Sequence, residues 1–387
     1  MNYHQDFSFA FAGRIEFGIG LHKRLAEFVT SLGGQKVLIV TDQGLVKAGI
    51  IGRLTAVLDA AGLGHVLFDG IEPEPDARSV VAAVDMFRAE GCTAIVAAGG
   101  GSPLDIGKAV SVMLTNPGHI RDYEGLGRIE KPGAPLIAVP TTAGTGSEST
   151  IWAVISEKDR SAKYGVGSTL MVPDIALCDP TLTVTLPPRV TAVTGIDAMS
   201  HALESYVNKA TQPISEALSE QAMRLIGGSL RTAVFAGDTV TARADMLLAS
   251  TMAAMAFNAT RLGIAHALAM PLGAKAKIPH ADVVSILMPP VMRFNMLGNL
   301  EKFARLAGIF GEPAPSGAPV REAAEAGVRA VERLISDVGA PARLSDWGVQ
   351  ESDLPAFAEA GMKTGNIPVN PRTPEADDLV AIMRACL

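Results

Sequence analysis

The chain has 387 residues, 48% hydrophobic and 19% charged, which suffices for a sizeable buried core, suits two domains and excludes a disordered polymer. Its 33 Lys+Arg against 40 Asp+Glu give a formal net charge of -7, so there is no basic surplus for nucleic acid or an anionic membrane. Cys92, Cys178 and Cys386 have no paired spacing, which argues against a disulfide framework and fits ordinary thiols in a reducing compartment. The opening MNYHQDFSFAFAGRIEFGIG has no basic start followed by an apolar run, and no later segment offers the ~18 apolar residues of a membrane span. The expectation is a soluble cytoplasmic protein.

From residue 36 to about 180, short apolar runs alternate with helical patterns. The runs are Lys36 to Thr41, His65 to Asp69, Thr93 to Ala98, Pro135 to Val139 and Ile151 to Ile155. Runs apolar on both faces predict a sheet covered on both sides. The pieces Asp76 to Glu90 and Pro103 to Leu114 have the length and apolar spacing of crossover helices. A parallel, doubly wound α/β half follows. After Pro187 and Pro188 the β-branched runs nearly vanish, and Ala/Leu/Met-rich stretches such as Glu216 to Leu230 and Ala242 to Asn258 predict helices. The expected division is 1-185, α/β, and 186-387, all-α, with loops around Gly311 to Pro319 and Asn366 to Pro374.

Ala97-Ala98-Gly99-Gly100-Gly101-Ser102-Pro103-Leu104-Asp105 joins a predicted strand to a helix with Pro in its first turn. Glycines let the backbone approach a bulky anion, and the helix start supplies partial positive charge, so a pyrophosphate fits here. The pattern is neither GxGxxG nor a Walker loop, and a tight turn that binds nothing is the other reading. Pro140 to Thr150 (PTTAGTGSEST) again follows a strand end and concentrates hydroxyls suited to ribose, phosphate or a carboxamide. It reads equally as a polar capping loop. Asp42, closing the first strand, suits an adenine ribose, where it would repel a 2′-phosphate, and suits a helix cap as well.

Asp197 and His201 stand four apart on one helix face, and His266 and His280 follow in apolar surroundings. Buried histidines need partners, and a divalent ion held by one Asp oxygen and three His nitrogens would satisfy all four groups. A set of three N and one O donors without thiolate suits Fe(II) or Zn(II). Each histidine alone reads as a hydrogen-bonded core residue. His4, His22, His65 and His119 lie outside this group.

With these motifs, GGGSPLDIGKA (Gly99 to Ala109), PTTAGTGSE (Pro140 to Glu148), GIDAMSHALESY (Gly195 to Tyr206) and the block from Leu262 to His280, the chain resembles the iron-containing (group III) alcohol dehydrogenases over nearly its whole length. The resemblance implies a Rossmann-like N-terminal domain, an all-α C-terminal domain in a dehydroquinate synthase-like fold, and a cleft holding NAD(P) and Fe(II) or Zn(II). It implies metal ligands at Asp197, His201, His266 and His280. It implies dinucleotide contacts at Asp42, Gly99, Gly100, Gly101, Ser102, Asp105, Thr141, Thr142, Thr145, Thr150 and Lys163. The activity implied is reversible oxidation of a small alcohol to its aldehyde or ketone by a homo-oligomer, and Asp42 facing the adenine ribose predicts that NAD(H) is preferred over NADP(H).

Two positions depart from the family pattern. Met270 stands where relatives commonly carry a second histidine, and Ala281 where they often carry glycine. Met270 is therefore the pocket candidate, and the departure bears on substrate range and proton transfer more than on metal binding. The competing readings are glycerol-1-phosphate dehydrogenase-like or dehydroquinate synthase-like chemistry, and a non-catalytic nucleotide- or metal-binding protein.

Overall fold

A computed structural model describes residues 6–72, 74–157, 162–313 and 317–387. His4 and the middle of the expected loop at 311–319 lie outside the described residues. The chain divides into two compact units, one of residues 10–186 and the other of 187–387 with the chain start up to Phe9.

The strands of the first unit are β1 (Arg14–Phe17), β2 (Lys36–Val40), β3 (Gly64–Phe68), β4 (Ala94–Gly99), β5 (Gly125–Leu126), β6 (Leu136–Pro140), β7 (Trp152–Glu157), β8 (Ala162–Gly167) and β9 (Ile175–Cys178). Its α-helices are α1 (Leu25–Ser31), α2 (Gln43–Lys47), α3 (Ile50–Ala60), α4 (Ala77–Ala89) and α5 (Gly101–Met113). Six strands form one parallel sheet in the order β1-β9-β6-β4-β2-β3. Both faces are covered. Leu38, Val40, Ile95, Ala97, Leu136 and Ala138 pack with residues of α4 and α5. Their neighbours Val37, Ile39, Val96, Ala98, Ile137 and Val139 pack with α1 and α3 on the other side. This two-sided burial is why the strands read as unbroken apolar runs rather than alternating ones.

The run at Ile151 to Ile155 is a strand but not part of that sheet, a correction to the all-parallel expectation. It lies in β7, which pairs antiparallel with β8 in a separate three-stranded sheet. Only four residues separate the two strands in sequence. A parallel neighbour needs a crossover of a dozen residues or so, whereas a short connection permits only a hairpin. Two strands of the main sheet escaped the sequence reading. β1 lies at the edge, with an exposed-to-intermediate pattern, and β9 is a buried run of only 4 residues.

The direction of winding locates a crevice. From β2 the chain adds β3 on one side and then β4 on the other. The carboxyl ends of β2 and β4 therefore flank the point where the order reverses, which is where open α/β sheets bind ligands.

The second unit is helical: α6 (Pro188–Val207), α7 (Pro213–Phe235), α8 (Val240–Thr260), α9 (Ile264–Ala276), α10 (His280–Met296), α11 (Leu300–Ile309), α12 (Val320–Asp337), α13 (Leu354–Met362) and α14 (Ala376–Arg384). Helix α6 packs against α7, α8 and α10, and from Gly195 to Val207 every residue is buried. A helix enclosed on all sides exposes no face for charges, so polar groups on it must find partners inside. No described helix is long and apolar enough to cross a membrane.

Candidate active site

Helix α6 carries Asp197, His201 and Glu204 at spacings of four and three, which stacks all three on one face. Helix α9 begins two residues before His266, with Gly263 as its cap. Lys277, in the left-handed conformation at φ 56°, ends α9, and α10 starts at His280 after the turn through Pro279. Three helices thus deliver four donor groups to a common point, two from α6 and one each from α9 and α10.

At that point Asp197 Oδ1 has His201 Nε2 at 3.8 Å, His266 Nε2 at 3.7 Å and His280 Nε2 at 3.7 Å. The four ligand atoms lie within 4.8 Å of one another. These separations are too long for hydrogen bonds. They approach the edges of a tetrahedron around a metal with ~2.1 Å bonds, about 3.4 Å. Asp197 Oδ1 and His266 Nε2 are buried and have no hydrogen-bond partner, a costly state that a cation held between them would relieve. The donor set fits a divalent metal on these grounds. Asp197, His201 and His266 are buried, while the His280 side chain is 44% exposed.

The electrostatics agree. Burial opposes the Asp197 charge, but the imidazoles around it, His201 foremost, outweigh burial and hold the carboxyl far below the usual range. Burial pushes His201 down to about 4, so it is neutral at physiological pH. Burial also disfavours the His266 cation, yet Glu204 and Asp197 prevail and raise it to about 9. Asp197 and His201 stand in ligand form, whereas His266 must give up a proton to bind.

Glu204 was not singled out from sequence. Its carboxylate accepts from His266 Nδ1 at 2.7 Å and from the backbone N–H groups of Gly263 at 2.9 Å and Ala265 at 2.8 Å. Its spacing from His201 on one helix face was the available signal.

In the first unit, Gly99, Gly100 and Gly101 turn from β4 into α5 at the reversal point of the sheet. Gly99 has φ 155°, and a Cβ there would lie 2.5 Å from Pro103 Cγ, so only glycine fits. No side chain caps the α5 N-terminus. The two loops adjoin: Thr141 N–H donates to Gly99 O at 2.9 Å, and a Cβ on Gly101 would come 3.0 Å from Thr145 Cγ2. A Cβ on Gly100 would come 3.3 Å from Thr142 Cγ2. This leaves an uncapped helix start bordered by hydroxyls, a cradle suited to a pyrophosphate. Asp42 ends the neighbouring strand and caps α2, its Oδ1 accepting from Leu45 N–H at 3.0 Å.

The remaining residues also make contacts within the protein. Asp105 accepts from Ser147 Oγ at 2.5 Å and Val154 N–H at 2.9 Å. The Thr150 hydroxyl meets the ammonium of fully buried Lys108 at 3.0 Å, and Lys108 also donates to Ser147 O and Trp152 O. Lys108, unremarked in sequence, thus pins the second loop to α5. Lys163 stands on β8 and pairs with Glu74 at 2.6 Å. Among the other histidines, His22 pairs with Asp179 at 2.5 Å and His119 caps a short helical turn. The three cysteines are buried and not bonded to one another.

Two family models match the chain: iron-containing alcohol dehydrogenase over residues 12–180, and the C-terminal domain of the Fe-containing alcohol dehydrogenase family over 191–387. The chain belongs to the iron-containing alcohol dehydrogenase family. It is 40% identical over 370 residues to the 1,3-propanediol dehydrogenase of Klebsiella pneumoniae, covering 95% of each chain. The lactaldehyde reductase of Escherichia coli (strain K12) is 38% identical over 95% of this chain and 96% of its own. A solved structure of 1,3-propanediol oxidoreductase superposes with a TM-score of 0.96 at 38% identity, covering 99% of this chain and 100% of the other. This dehydrogenase is accordingly a metal-dependent, NAD(P)-linked oxidoreductase acting on CH–OH groups, with the α/β and helical halves of the family. The phosphate-substrate and non-catalytic readings give way to that assignment.

Proposed function

We propose that the enzyme interconverts a small primary or secondary alcohol and its aldehyde or ketone, with a divalent ion, Fe(II) or Zn(II), held by Asp197, His201, His266 and His280. The observation that carries this reading is the set of imidazole nitrogens 3.7–3.8 Å from the partnerless Asp197 Oδ1. A bound ion supplies Lewis acidity, stabilising negative charge on the substrate oxygen by several kcal/mol. Asp197 contributes one negative charge to that ion, and His280, the most exposed of the four, stands at the solvent side of the set. The small-substrate reading draws on relatives named for 1,3-propanediol, lactaldehyde and methanol.

In the α/β unit, the uncapped start of α5 and glycines 99–101 bind the cofactor pyrophosphate, with Ser102 and the hydroxyls of Thr141, Thr142 and Thr145 around it. Asp105, Thr150 and Lys163 act through the loops they brace rather than as free ligands. Asp42 accepts from the adenine ribose and repels a 2′-phosphate, so NAD(H) is preferred over NADP(H).

Met270 follows His266 by one helical turn on α9 and is half-buried. A thioether neither gives nor takes a proton at neutral pH, so Met270 forms an apolar wall and proton exchange runs through water or the cofactor ribose. A cytoplasmic homo-oligomer completes the reading. The buried thiols suit a reducing compartment. Light scattering on the purified enzyme checks the oligomer.

Anaerobic reconstitution with Fe(II) or Zn(II), followed by cofactor-absorbance assays over a panel of aldehydes and alcohols, tests the whole reading. Turnover is expected with at least one metal on short substrates. Absence of turnover with every metal and substrate overturns it.

A further inference from the structure

We infer that Glu204 is a positioning residue for the metal centre: it selects the His266 tautomer whose Nε2 lone pair faces Asp197, and so sets metal affinity. The inference rests on the metal reading above. A carboxylate can only accept hydrogen bonds, and Glu204 Oε2 lies 2.7 Å from His266 Nδ1. The proton of a neutral His266 is therefore held on Nδ1, and Nε2, which lies 3.7 Å from Asp197 Oδ1, is left as the donor. The opposite tautomer would set a nitrogen lone pair against the buried Glu204 carboxylate.

The same carboxylate fixes where the imidazole stands. Glu204 is 1% exposed, and it accepts from the Gly263 and Ala265 N–H groups at the first turn of α9. A Cβ at Gly263 would lie 2.9 Å from Glu204 Oε1, so the helix start and the carboxylate meet with no room to spare. Because Glu204 shares the α6 face with Asp197 and His201, one helix both supplies two donors and aims the third. His201 has no such brace, its Nδ1 being buried without a hydrogen-bond partner. Asn370 gives a neutral comparison at the same helix start, its Oδ1 accepting from Ile264 N–H at 3.3 Å without touching the imidazole.

The test compares Glu204→Gln with Asn370→Ala, measuring Zn(II) affinity by chelator competition and stability by urea unfolding of the metal-free proteins. Wild type is expected to bind about one Zn(II) per chain, Glu204→Gln roughly 10- to 100-fold more weakly, and Asn370→Ala with near wild-type affinity despite a comparable loss of stability. Unchanged affinity in Glu204→Gln overturns the inference, as does an equal weakening in Asn370→Ala, which would make Glu204 only a helix cap. Wild type that binds no Zn(II), Fe(II) or Co(II) overturns the metal reading itself. Should Glu204→Gln fail to fold, imidazole 15N NMR of Zn(II)-loaded wild type decides: a proton on His266 Nδ1 supports the inference, and one on Nε2 overturns it.

Discussion

The two units carry candidate binding features built on opposite principles. In the helical unit four side chains from α6, α9 and α10 converge, and three of their buried polar atoms, Asp197 Oδ1, His201 Nδ1 and His266 Nε2, have no hydrogen-bond partner among the described residues. In the α/β unit the glycine turn and the start of α5 offer backbone groups, with hydroxyls and Asp42 at the margin. A centre made of a few irreplaceable side chains is brittle, because removing one leaves the others buried and unsatisfied. A cradle made of backbone amides is more tolerant of changes in the side chains around it, because only proline removes an N–H, although Gly99 itself admits no Cβ. The difference predicts large effects from single changes in one half and graded ones in the other.

The sharpest contrast comes from His266→Ala. It should leave the metal site with three ligands and lower turnover by roughly 10³-fold or more, since several kcal/mol of charge stabilisation go with the ion. Elemental analysis of the folded variant checks the cause, and undiminished metal content would make His266 structural. A middling effect is expected of Asp42→Gly, glycine being nearly as good a helix cap as Asp, so that α2 survives. The NAD(H)/NADP(H) ratio of kcat/KM should narrow about tenfold, the worth of one like-charge repulsion of 1–2 kcal/mol. A wild type preferring NADP(H) would show that Asp42 does not face the ribose. The smallest change is expected of Met270→His, which should reorder rates among aldehydes of different size by a fewfold. Equal effects on every substrate, or only a lower melting temperature, would place Met270 in the core.

Legibility from sequence followed how locally each feature is encoded. Strands β2, β4 and β6 were legible because burial on both faces writes itself as a continuous apolar run, and α4, α7 and α8 because a helix repeats its apolar face every turn. The Asp197–His201 pairing was legible because four residues make one helical turn. The sheet to which β7 belongs was not, since a strand's sequence carries its burial and not its partner. Lys108 was missed for a related reason: a lysine in a helical pattern reads as a solvated face, and only its ion pair with Asp105 at 3.2 Å, the carbonyls of Ser147 and Trp152 and the hydroxyl of Thr150 make its full burial tolerable. Burial lowers its pKa, and Asp105 alongside offsets part of that shift.

By itself, then, the sequence determined the α/β-then-helical order, the glycine turn after β4 and the supply of Asp and His donors, all properties of segments a few turns long. Tertiary structure alone decided that His266 and His280 meet Asp197, and that Glu204, 62 residues before His266, aims its ring. Such contacts depend on how α9 and α10 pack against α6. Packing is fixed by the sum of many weak apolar contacts spread over the whole unit, so no short stretch of the chain encodes it.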